Sequence, residues 1–522
     1  MSRIRLQKGM VFVYEISQTV RDYIDRLLAD PHRPKYHLAS PHSDNDPGDP
    51  NGAFFADGKY HLMFLYACAP GKFSWHHLVS VDLLHWTSLG DALTPIDGDN
   101  GCFSGGAFVD DDGTAYLTFW KFAAADGSDN GGIDIAYAKP PYTDWQRIRP
   151  IAVNGSKAEW GTVDLEIDGE VKHISCADPS NIWKQDGWYY FETGNLCVLN
   201  AYGRSEDAPE EYKGDWTDLF RSKDLKNWEY VHRFYKNEHL GEDWPDATED
   251  DMCPTLLPIF DAPASGKPTG KHLQTFIAHN KGGQYYVGEL DGETFRPESH
   301  GRFSWVDDTC FAPEAMLDDQ NRHLIWFWLR RKRDDEYKRF GWTGTFTLPR
   351  VLWLENGELR QAPAEELSRL QHNAQTFDVG TVSGETNLPV KNGVQFRLKA
   401  EINLKSAAKA GFAVRVGGGN RTEIYYDAAE RKLVFDATAN GEEGKRIHRK
   451  EAAPFTLAEN ESLKLDIFVD HSVIEVFAND RQAISRHVYP SDPAAAVGVT
   501  AMADGAEFCG VRAWEMASSN PY

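Results

Sequence analysis

The sequence lacks the features that define several common classes of protein. None of its 522 residues belong to a run near the roughly 18 apolar residues that a membrane-spanning helix needs. The seven cysteines are odd in number and scattered, with no C-x-x-C pair, which favours buried free thiols over a disulfide framework or zinc site. Basic residues are also scarce: 55 against 79 acidic residues give a net charge of −24. We therefore expect a neutral substrate as the partner, with no nucleic acid and no membrane.

The first residues do not resemble a secretion signal. The segment 1–20 carries Arg3, Arg5 and Lys8, but its apolar run is too short for a signal-peptide core. The expected location is cytoplasmic if Met1 is the native start, and secreted if a leader has been removed. The length predicts two or three domains, and a homo-oligomer is compatible with the sequence.

What the chain does have is a repeated unit rich in aromatic residues. Each copy holds a short apolar run, a turn with Asp-Gly or a near equivalent, and an alternating aromatic and aliphatic strand. The copies lie at 53–64, 107–119, 181–191, 257–276 and 316–326. An outer strand follows, and its segments at 80–86 and 222–228 are near copies of each other. Five such units predict a five-bladed β-propeller, with a meandering β-sandwich as the alternative.

The pattern of apolar and polar residues changes after about residue 370. Strictly alternating segments at 396–404, 411–416, 463–469 and 472–477 predict a β-sandwich. Ile16–Ala29 is typical of a short amphipathic helix. The predicted fold is therefore all-β, a five-bladed β-propeller followed by a C-terminal β-sandwich. The predicted divisions are an N-terminal extension with a short helix (1–33), the propeller (34–358), a linker (359–375) and the sandwich (376–522).

Polar residues stand just before each repeat. Inner strands of a propeller surround a central shaft, so residues at their beginnings converge at one mouth. The polar segments are 49–52, 101–105, 177–180, 249–254 and 310–314, and four of the five contain a carboxylate. Glycosidic cleavage needs two carboxyl groups. An isolated Asp-Pro-Asn-Gly is usually only a turn, but the set in register predicts a glycosidase site.

Both domains resemble glycoside hydrolase family 32, the invertase, inulinase and levanase family. The resemblance is carried by residues 34–38, 49–52, 75–86, 101–106, 177–179, 253–254, 311–315 and 467–479. It implies a retaining β-fructofuranosidase that cleaves terminal β-fructosyl linkages in fructans or fructo-oligosaccharides, without a cofactor. It also implies that Asp49 is the nucleophile that forms a fructosyl-enzyme and that Asp178 stabilises the transition state. The substrate-binding residues would be Asn51, Trp75, Phe103, Ser104, Asp251 and Met252.

The chain departs from the family pattern at three places. Asp46–Gly48 replaces the Trp-Met-Asn that usually precedes Asp-Pro-Asn-Gly, which changes the rim beside the nucleophile. Ala177 replaces the arginine before Asp178, which removes a cation from the site. Met252 stands where the family has its acid/base glutamate, and a thioether cannot transfer a proton.

Two sources could supply the missing proton. Glu314 stands at the mouth of the fifth blade near the apolar Phe311 and Pro313, which would raise its pKa toward neutrality. Glu249, with Asp250 and Asp251, could reach in if the strand is bulged. We favour Glu314 over Glu249. The alternatives are that Glu314 only hydrogen bonds to substrate and that the acidic run 249–251 is a solvated turn.

Other functions stay open at this stage. A fructotransferase would keep the nucleophile but make difructose anhydride or transfer products from levan or inulin, since a site that excludes water favours transfer. Met252 is compatible with a catalytically impaired fructan-binding protein. An inverting arabinan-type hydrolase would need carboxylates set farther apart, and the family-like sandwich argues against it. His279 could contact substrate, although the sequence favours a structural role for it.

Overall fold

The computed structural model describes residues 18–39, 48–96, 100–121, 131–148, 152–153, 156–157, 161–236, 250–330, 340–342, 344–440 and 449–520. These residues form five radially repeated antiparallel sheets followed by a larger sheet system that folds into a sandwich. The predicted architecture of a five-bladed β-propeller and a C-terminal β-sandwich is confirmed. Over the described ranges, no helix has the length and apolar character needed to cross a membrane.

The first half of the propeller follows a helix at the start of the described chain. That helix is α1, Gln18–Ala29. Blade 1 contains β1 (Pro50–Ala56), β2 (Lys59–Ala69), β3 (Lys72–Ser80) and β4 (Thr87–Leu93). Blade 2 contains β5 (Ala107–Val109), β6 (Ala115–Lys121), β7 (Gly132–Ala138) and β8 (Gln146–Ile148). The short β9 (Ala152–Val153) pairs with blade 3, while β10 (Ser156–Lys157), β11 (Thr162–Ile167) and β12 (Glu170–Ser175) make a separate sheet.

Three further blades complete the ring. Blade 3 contains β13 (Ala177–Pro179), β14 (Trp183–Gln185), β15 (Trp188–Gly194), β16 (Trp216–Ser222) and β17 (Asn227–Lys236). It also carries the helical turns α2 (Leu196–Val198), Leu199–Gly203 and Glu210–Tyr212. Blade 4 contains β18 (Met252–Phe260), β19 (Pro268–Ala278), β20 (Gly282–Asp291) and β21 (Thr294–Arg302). Blade 5 contains β22 (Cys310–Leu317), β23 (His323–Leu329), β24 (Thr345–Phe346), β25 (Arg350–Glu355) and β26 (Glu358–Pro363).

The sandwich begins after a 3₁₀ helix at Glu365–Leu370. Its strands are β27 (Gln371–Phe377), β28 (Gly380–Leu388), β29 (Gln395–Asn403), β30 (Lys409–Gly417), β31 (Asn420–Asp427), β32 (Lys432–Ala439), β33 (Lys450–Pro454), β34 (Leu463–Asp470), β35 (Val473–Ala478), β36 (Gln482–His487) and β37 (Gly498–Met516). The alternation in the sequence buries one face of these strands in a single apolar core. The predicted linker, 359–375, takes in most of β26, the 3₁₀ helix and the start of β27.

The turn residues explain why the repeats fold as hairpins. Asp57-Gly58, Asp186-Gly187 and Asn356-Gly357 each connect two paired strands, and all six residues have φ between +50° and +80°. A two-residue turn with both φ values positive matches the twist of the flanking strands, and Asp-Gly and Asn-Gly adopt it most readily. The sequence-based prediction of hairpins is confirmed at Asp57-Gly58 and Asp186-Gly187.

The near copies between the third and fourth strands also fold alike. In blade 1, Asp82 accepts hydrogen bonds from the backbone N–H groups of Leu84 and His85 at 3.0 and 2.9 Å. In blade 3, Asp224 accepts the equivalent bonds from Lys226 and Asn227 at 2.9 and 2.8 Å. The same aspartate therefore caps the same turn in both blades, because its short side chain can replace missing backbone acceptors.

A buried ionic network joins the start of the propeller to the sandwich. Asp470 accepts hydrogen bonds from the backbone N–H groups of residues 35–37 at 2.7, 2.8 and 2.8 Å. The His37 ring lies between Asp470 (2.9 Å) and Glu475 (3.1 Å), and Glu475 also binds Arg350 at 3.0 Å. Burial lowers the pKa of His37, but the two carboxylates raise it overall to about 9. The histidine is therefore a buried cation that fastens one domain to the other.

Candidate active site

Four inner strands are bulged where they reach the mouth of the propeller. The pairing register shifts within 51–54, 177–179, 252–255 and 311–314. At each shift one residue is left-handed: Gly52 (φ +57°), Asp178 (+41°), Cys253 (+50°) and Ala312 (+45°). A bulge breaks the alternation of side chains and re-aims them. The non-glycine residues adopt this strained conformation at a cost on the order of 1–3 kcal/mol each, and the bulges gather at the predicted site.

Asp49 immediately precedes β1 and is fixed by the neighbouring blade. Ser104 Oγ donates a hydrogen bond to Asp49 Oδ2 at 2.6 Å. The Asn51 amide donates to the Asp49 carbonyl at 2.9 Å and accepts from the Gly105 N–H at 3.1 Å. Asn51 therefore ties blade 1 to the segment before β5, which holds Ser104 beside the Asp49 carboxylate.

Asp178 and Asp49 share one pocket, and a thiol lies between them. Cys253 Sγ is 3.5 Å from Asp178 Oδ2 and 3.9 Å from Asp49 Oδ2. Asp178 is only 4% exposed. Burial, and then the charge of Asp49, raises the pKa of Asp178 to about 7. Carboxylates from blades 1 and 3 therefore meet beside a cysteine from blade 4, in an arrangement suited to chemistry that needs two carboxyl groups.

An apolar collar surrounds this carboxylate pair and accounts for the raised pKa values. Met252 is 2% exposed, and a Cβ on Gly194 would lie only 2.6 Å from its sulfur, so its side chain is packed into the wall. The apolar collar consists of Phe103, Trp120, Ala177, Cys197, Met252, Cys253, Ile277, Phe311 and Ala312. Apolar neighbours remove water from a carboxylate and favour its neutral form.

Two basic side chains flank the pair on the side of blades 4 and 5. The His279 ring hydrogen bonds with Asp250 through Nδ1 at 3.2 Å, and Arg330 binds Asp308 at 2.5 Å. Both side chains contact Phe311: the His279 ring stands on its edge with centroids 5.7 Å apart, and the Arg330 guanidinium lies 4.5 Å from the ring centre.

These basic side chains act on the charge of Asp49. Burial raises the pKa of Asp49, and the Ser104 hydrogen bond, the charges of His279 and Arg330 and the Cys253 thiol lower it only in part. Burial lowers the pKa of His279, but its hydrogen bond to Asp250 and the charges of Asp250, Asp178 and Asp49 bring it above its usual value. The imidazole and the guanidinium therefore both oppose the effect of burial on the pKa of Asp49.

The two predicted substrate-binding aromatic residues are joined by a hydrogen bond and differ in exposure. Trp75 is fully buried, and its indole N–H donates to the Phe103 carbonyl at 3.0 Å. Phe103 is partly exposed and packs edge-on against Phe73 and Trp120, with centroids 4.7 and 5.6 Å apart. Trp75 thus supports the segment that carries Phe103, and Phe103 presents the accessible apolar surface.

The acidic residues weighed as proton donors lie in different places. Glu314 is 3% exposed and accepts a hydrogen bond from the Ala53 N–H at 2.5 Å; burial holds its pKa well above the usual range. Asp251 is fully buried, and its charge adds to the effect of burial in raising the pKa of Tyr235. Glu249 lies outside the described residues. Within the described ranges, no three His, Cys, Asp or Glu side chains are grouped as a metal site would require.

Comparison with known proteins places this site in a family. Residues 42–363 match the N-terminal domain of glycosyl hydrolases family 32, and residues 364–515 match the C-terminal domain of the same family. The chain belongs to glycosyl hydrolase family 32. The sequence-based assignment to this family of glycoside hydrolases is confirmed.

Several family 32 relatives resemble the chain over most of its length. It is 28% identical to the levanase of Bacillus subtilis (strain 168), over 88% of this chain but only 66% of the levanase. It is 26% identical to a sucrose-6-phosphate hydrolase of Zymomonas mobilis, over 90% of both proteins. The crystal structure of fructan 1-exohydrolase IIa from Cichorium intybus superposes with a TM-score of 0.76 at 18% identity, covering 94% of this chain and 98% of that one.

Sequence reasoning within the family 32 pattern missed two residues of the site. Cys253 enters the resemblance only within the segment 253–254, although its thiol lies between both carboxylates. Arg330 follows the end of β23 and has no local motif. A cation in this chain could have been sought because Ala177 leaves the family's arginine position empty, but nothing in the sequence indicates that it comes from blade 5.

Proposed function

We propose that the protein hydrolyses terminal β-fructosyl linkages in fructans or fructo-oligosaccharides, with retention of configuration. The observation that carries the proposal is the pair of the half-buried Asp49 and the buried Asp178, both within 3.9 Å of the Cys253 thiol. Family membership supports it, as do relatives named levanase and sucrose-6-phosphate hydrolase.

Asp49 is the proposed nucleophile. Ser104 occupies its Oδ2 atom at 2.6 Å, which orients the carboxylate and leaves Oδ1 to attack the anomeric carbon of the fructosyl ring. The charges of His279 and Arg330 oppose the effect of burial on the pKa of Asp49 and so favour its ionised form. An ionised carboxylate in an apolar collar is poorly solvated, which makes it reactive toward a developing oxocarbenium ion.

Asp178 is the proposed stabiliser of the transition state. Its carboxylate lies in the same pocket, where it would accept hydrogen bonds from ring hydroxyls that become more acidic as positive charge develops on the sugar. Burial and the charge of Asp49 raise the pKa of Asp178 to about 7. Because the two carboxylates repel each other, bound hydroxyl donors are expected to stabilise the doubly ionised state.

The first experiment compares wild type with Asp49→Asn on sucrose, inulin and levan, with products resolved by chromatography. We expect free fructose from at least one substrate, and a loss of about 10⁴-fold or more in the variant because the covalent step is removed. The matched control is Asp319→Asn, which makes the same chemical change at an exposed turn.

Each other outcome points to a different function. Cyclic or elongated products would assign the protein to the fructotransferases. Saturable binding without product would indicate a fructan-binding protein. Early NMR spectra report the anomer first formed: retention releases β-fructose, whereas α-fructose would refute a covalent intermediate on Asp49.

A further inference from the structure

We propose that His279, positioned by Asp250, protonates the departing oxygen in place of the glutamate that Met252 has displaced. This inference rests on the proposed fructosidase function and extends it to the identity of the acid/base. His279 directly follows β19, the strand that pairs with β18 and therefore with Met252.

The pairing of blade 4 brings His279 to the place that the acid must occupy. Met252 at the start of β18 pairs with Ile277 on β19. His279 lies two residues beyond Ile277, just past the end of β19, and therefore reaches the same mouth from the neighbouring strand. The His279 side chain is 44% exposed, so a bound substrate can reach it, whereas Met252 is packed into the wall.

Asp250 gives the imidazole one defined orientation. Its carboxylate accepts hydrogen bonds from the His279 backbone N–H at 3.2 Å and pairs with ring Nδ1 at 3.2 Å. Asp250 is itself only 5% exposed. A carboxylate on Nδ1 fixes the tautomer and leaves Nε2 as the nitrogen that can face the substrate. The ring edge against Phe311 limits rotation further.

The charges around His279 favour its protonated form before the reaction and favour it less after the first step. His279 is faced by Asp250 from its own blade, Asp178 from blade 3 and Asp49 from blade 1. Arg330 from blade 5 contacts the same Phe311 ring as His279 does. The three carboxylates raise the pKa of His279 against the effect of burial. When Asp49 becomes an ester, its charge disappears, so His279 loses its proton more readily and can act as a base.

Glu314 fits this role less well. One of its carboxyl oxygens accepts the Ala53 N–H at 2.5 Å, which ties blade 5 to blade 1. The pKa of Glu314 is set by burial and by that amide, whereas the pKa of His279 responds to both carboxylates of the pocket.

Hydrolysis takes place in two proton-transfer steps. In the first, an Asp49 carboxylate oxygen bonds to the anomeric carbon, the glycosidic C–O bond breaks, and Nε2–H of protonated His279 gives its proton to the departing oxygen. In the second, neutral His279 takes a proton from water, whose oxygen bonds to the anomeric carbon as the Asp49 ester bond breaks. Fructose leaves, and Asp49 is again a carboxylate and His279 again protonated.

The test uses the full-length enzyme and two leaving groups. His279→Ala is compared with wild type on the sugar substrate that wild type cleaves and on a nitrophenyl β-fructofuranoside, whose phenolate departs without a proton. We expect a loss of about 10²–10⁴-fold on the sugar substrate and less than about tenfold on the nitrophenyl substrate. Asp250→Asn should show a weaker form of the same split, with the alkaline limb of its pH profile at lower pH. Asn280→Ala, at the adjacent exposed residue, is the matched control.

The outcomes separate this inference from the proposed function. If wild type cleaves neither substrate, the proposed function fails, and this inference with it. If wild type is active but His279→Ala loses both substrates equally or neither, the inference alone is overturned. The split appearing in Glu314→Gln and not in His279→Ala would also overturn it and assign the proton to Glu314.

Discussion

Replacing Asp178 by Asn is expected to stabilise the folded protein above neutral pH while it abolishes activity. Burial and the charge of Asp49 raise the pKa of Asp178 from 3.8 to about 7. At 1.36 kcal/mol per unit, ionising this carboxyl in the folded state costs about 4 kcal/mol. The native state binds more protons than the unfolded chain between these two pKa values, so stability falls as pH rises through that window. Asn has nearly the same shape and never ionises, and therefore avoids the cost.

The assay is urea unfolding followed by tryptophan fluorescence at pH 4, 6 and 8. The stability difference between Asp178→Asn and wild type should be near its minimum at pH 4 and increase to about 2–4 kcal/mol at pH 8, allowing for imperfect pairing of the new amide. Asp319→Asn, at an exposed turn, should show no such trend. A stability difference that does not depend on pH, or a variant less stable than wild type at pH 8, would refute the argument that ionisation of Asp178 destabilises the folded protein.

Two further predictions concern Ser104 and His37. Ser104→Ala removes a hydrogen bond that lowers the pKa of Asp49, so the acid limb of the kcat/KM profile should move to higher pH. Because a charged hydrogen bond contributes about 1.5–3 kcal/mol, kcat/KM should fall by about 10–100-fold. An acid limb at the same pH as in wild type would contradict this role of Ser104. His37→Gln leaves Asp470 and Glu475 buried without their cation and should cost about 3–5 kcal/mol in urea unfolding. Because the pKa of His37 is raised to about 9, its contribution to stability is complete below pH 6.5 and is lost as pH rises through 9. The difference in unfolding free energy between wild type and His37→Gln should therefore become smaller at high pH. The exposed His85→Gln is the control, and a difference that grows at high pH would contradict the prediction.

The sequence was sufficient for the fold because local chemistry repeats with the blades. Asp57-Gly58 and Asn356-Gly357 are turns that few other dipeptides make, and the aromatic alternation beside them sets which face is buried. The meeting of Asp49 and Asp178 could also be anticipated, since both stand at the start of an inner strand. Those positions follow from topology alone.

The direction of individual side chains could not be anticipated. Four of the five inner strands shift register by a bulge within a few residues of the site, and a shift changes which residue faces the shaft. That is why Met252 faces the wall and Glu314 the Ala53 amide. Arg330 lies just past the end of β23 and contacts Phe311 on the paired strand β22 of the same blade, a position that no local motif indicates.

The contacts of residues 35–38 with blade 5 and the sandwich affect the order in which the molecule assembles. Leu38 accepts hydrogen bonds from Thr345 and Phe346 of blade 5, and residues 35–37 bind Asp470 of the sandwich, 433 positions after His37. A ribosome adding about 5–20 residues per second needs roughly 20–90 s to cover that separation. Until blade 5 is made, blade 1 lacks its neighbour across the ring, and until Asp470 is made, residues 35–37 lack their buried acceptor.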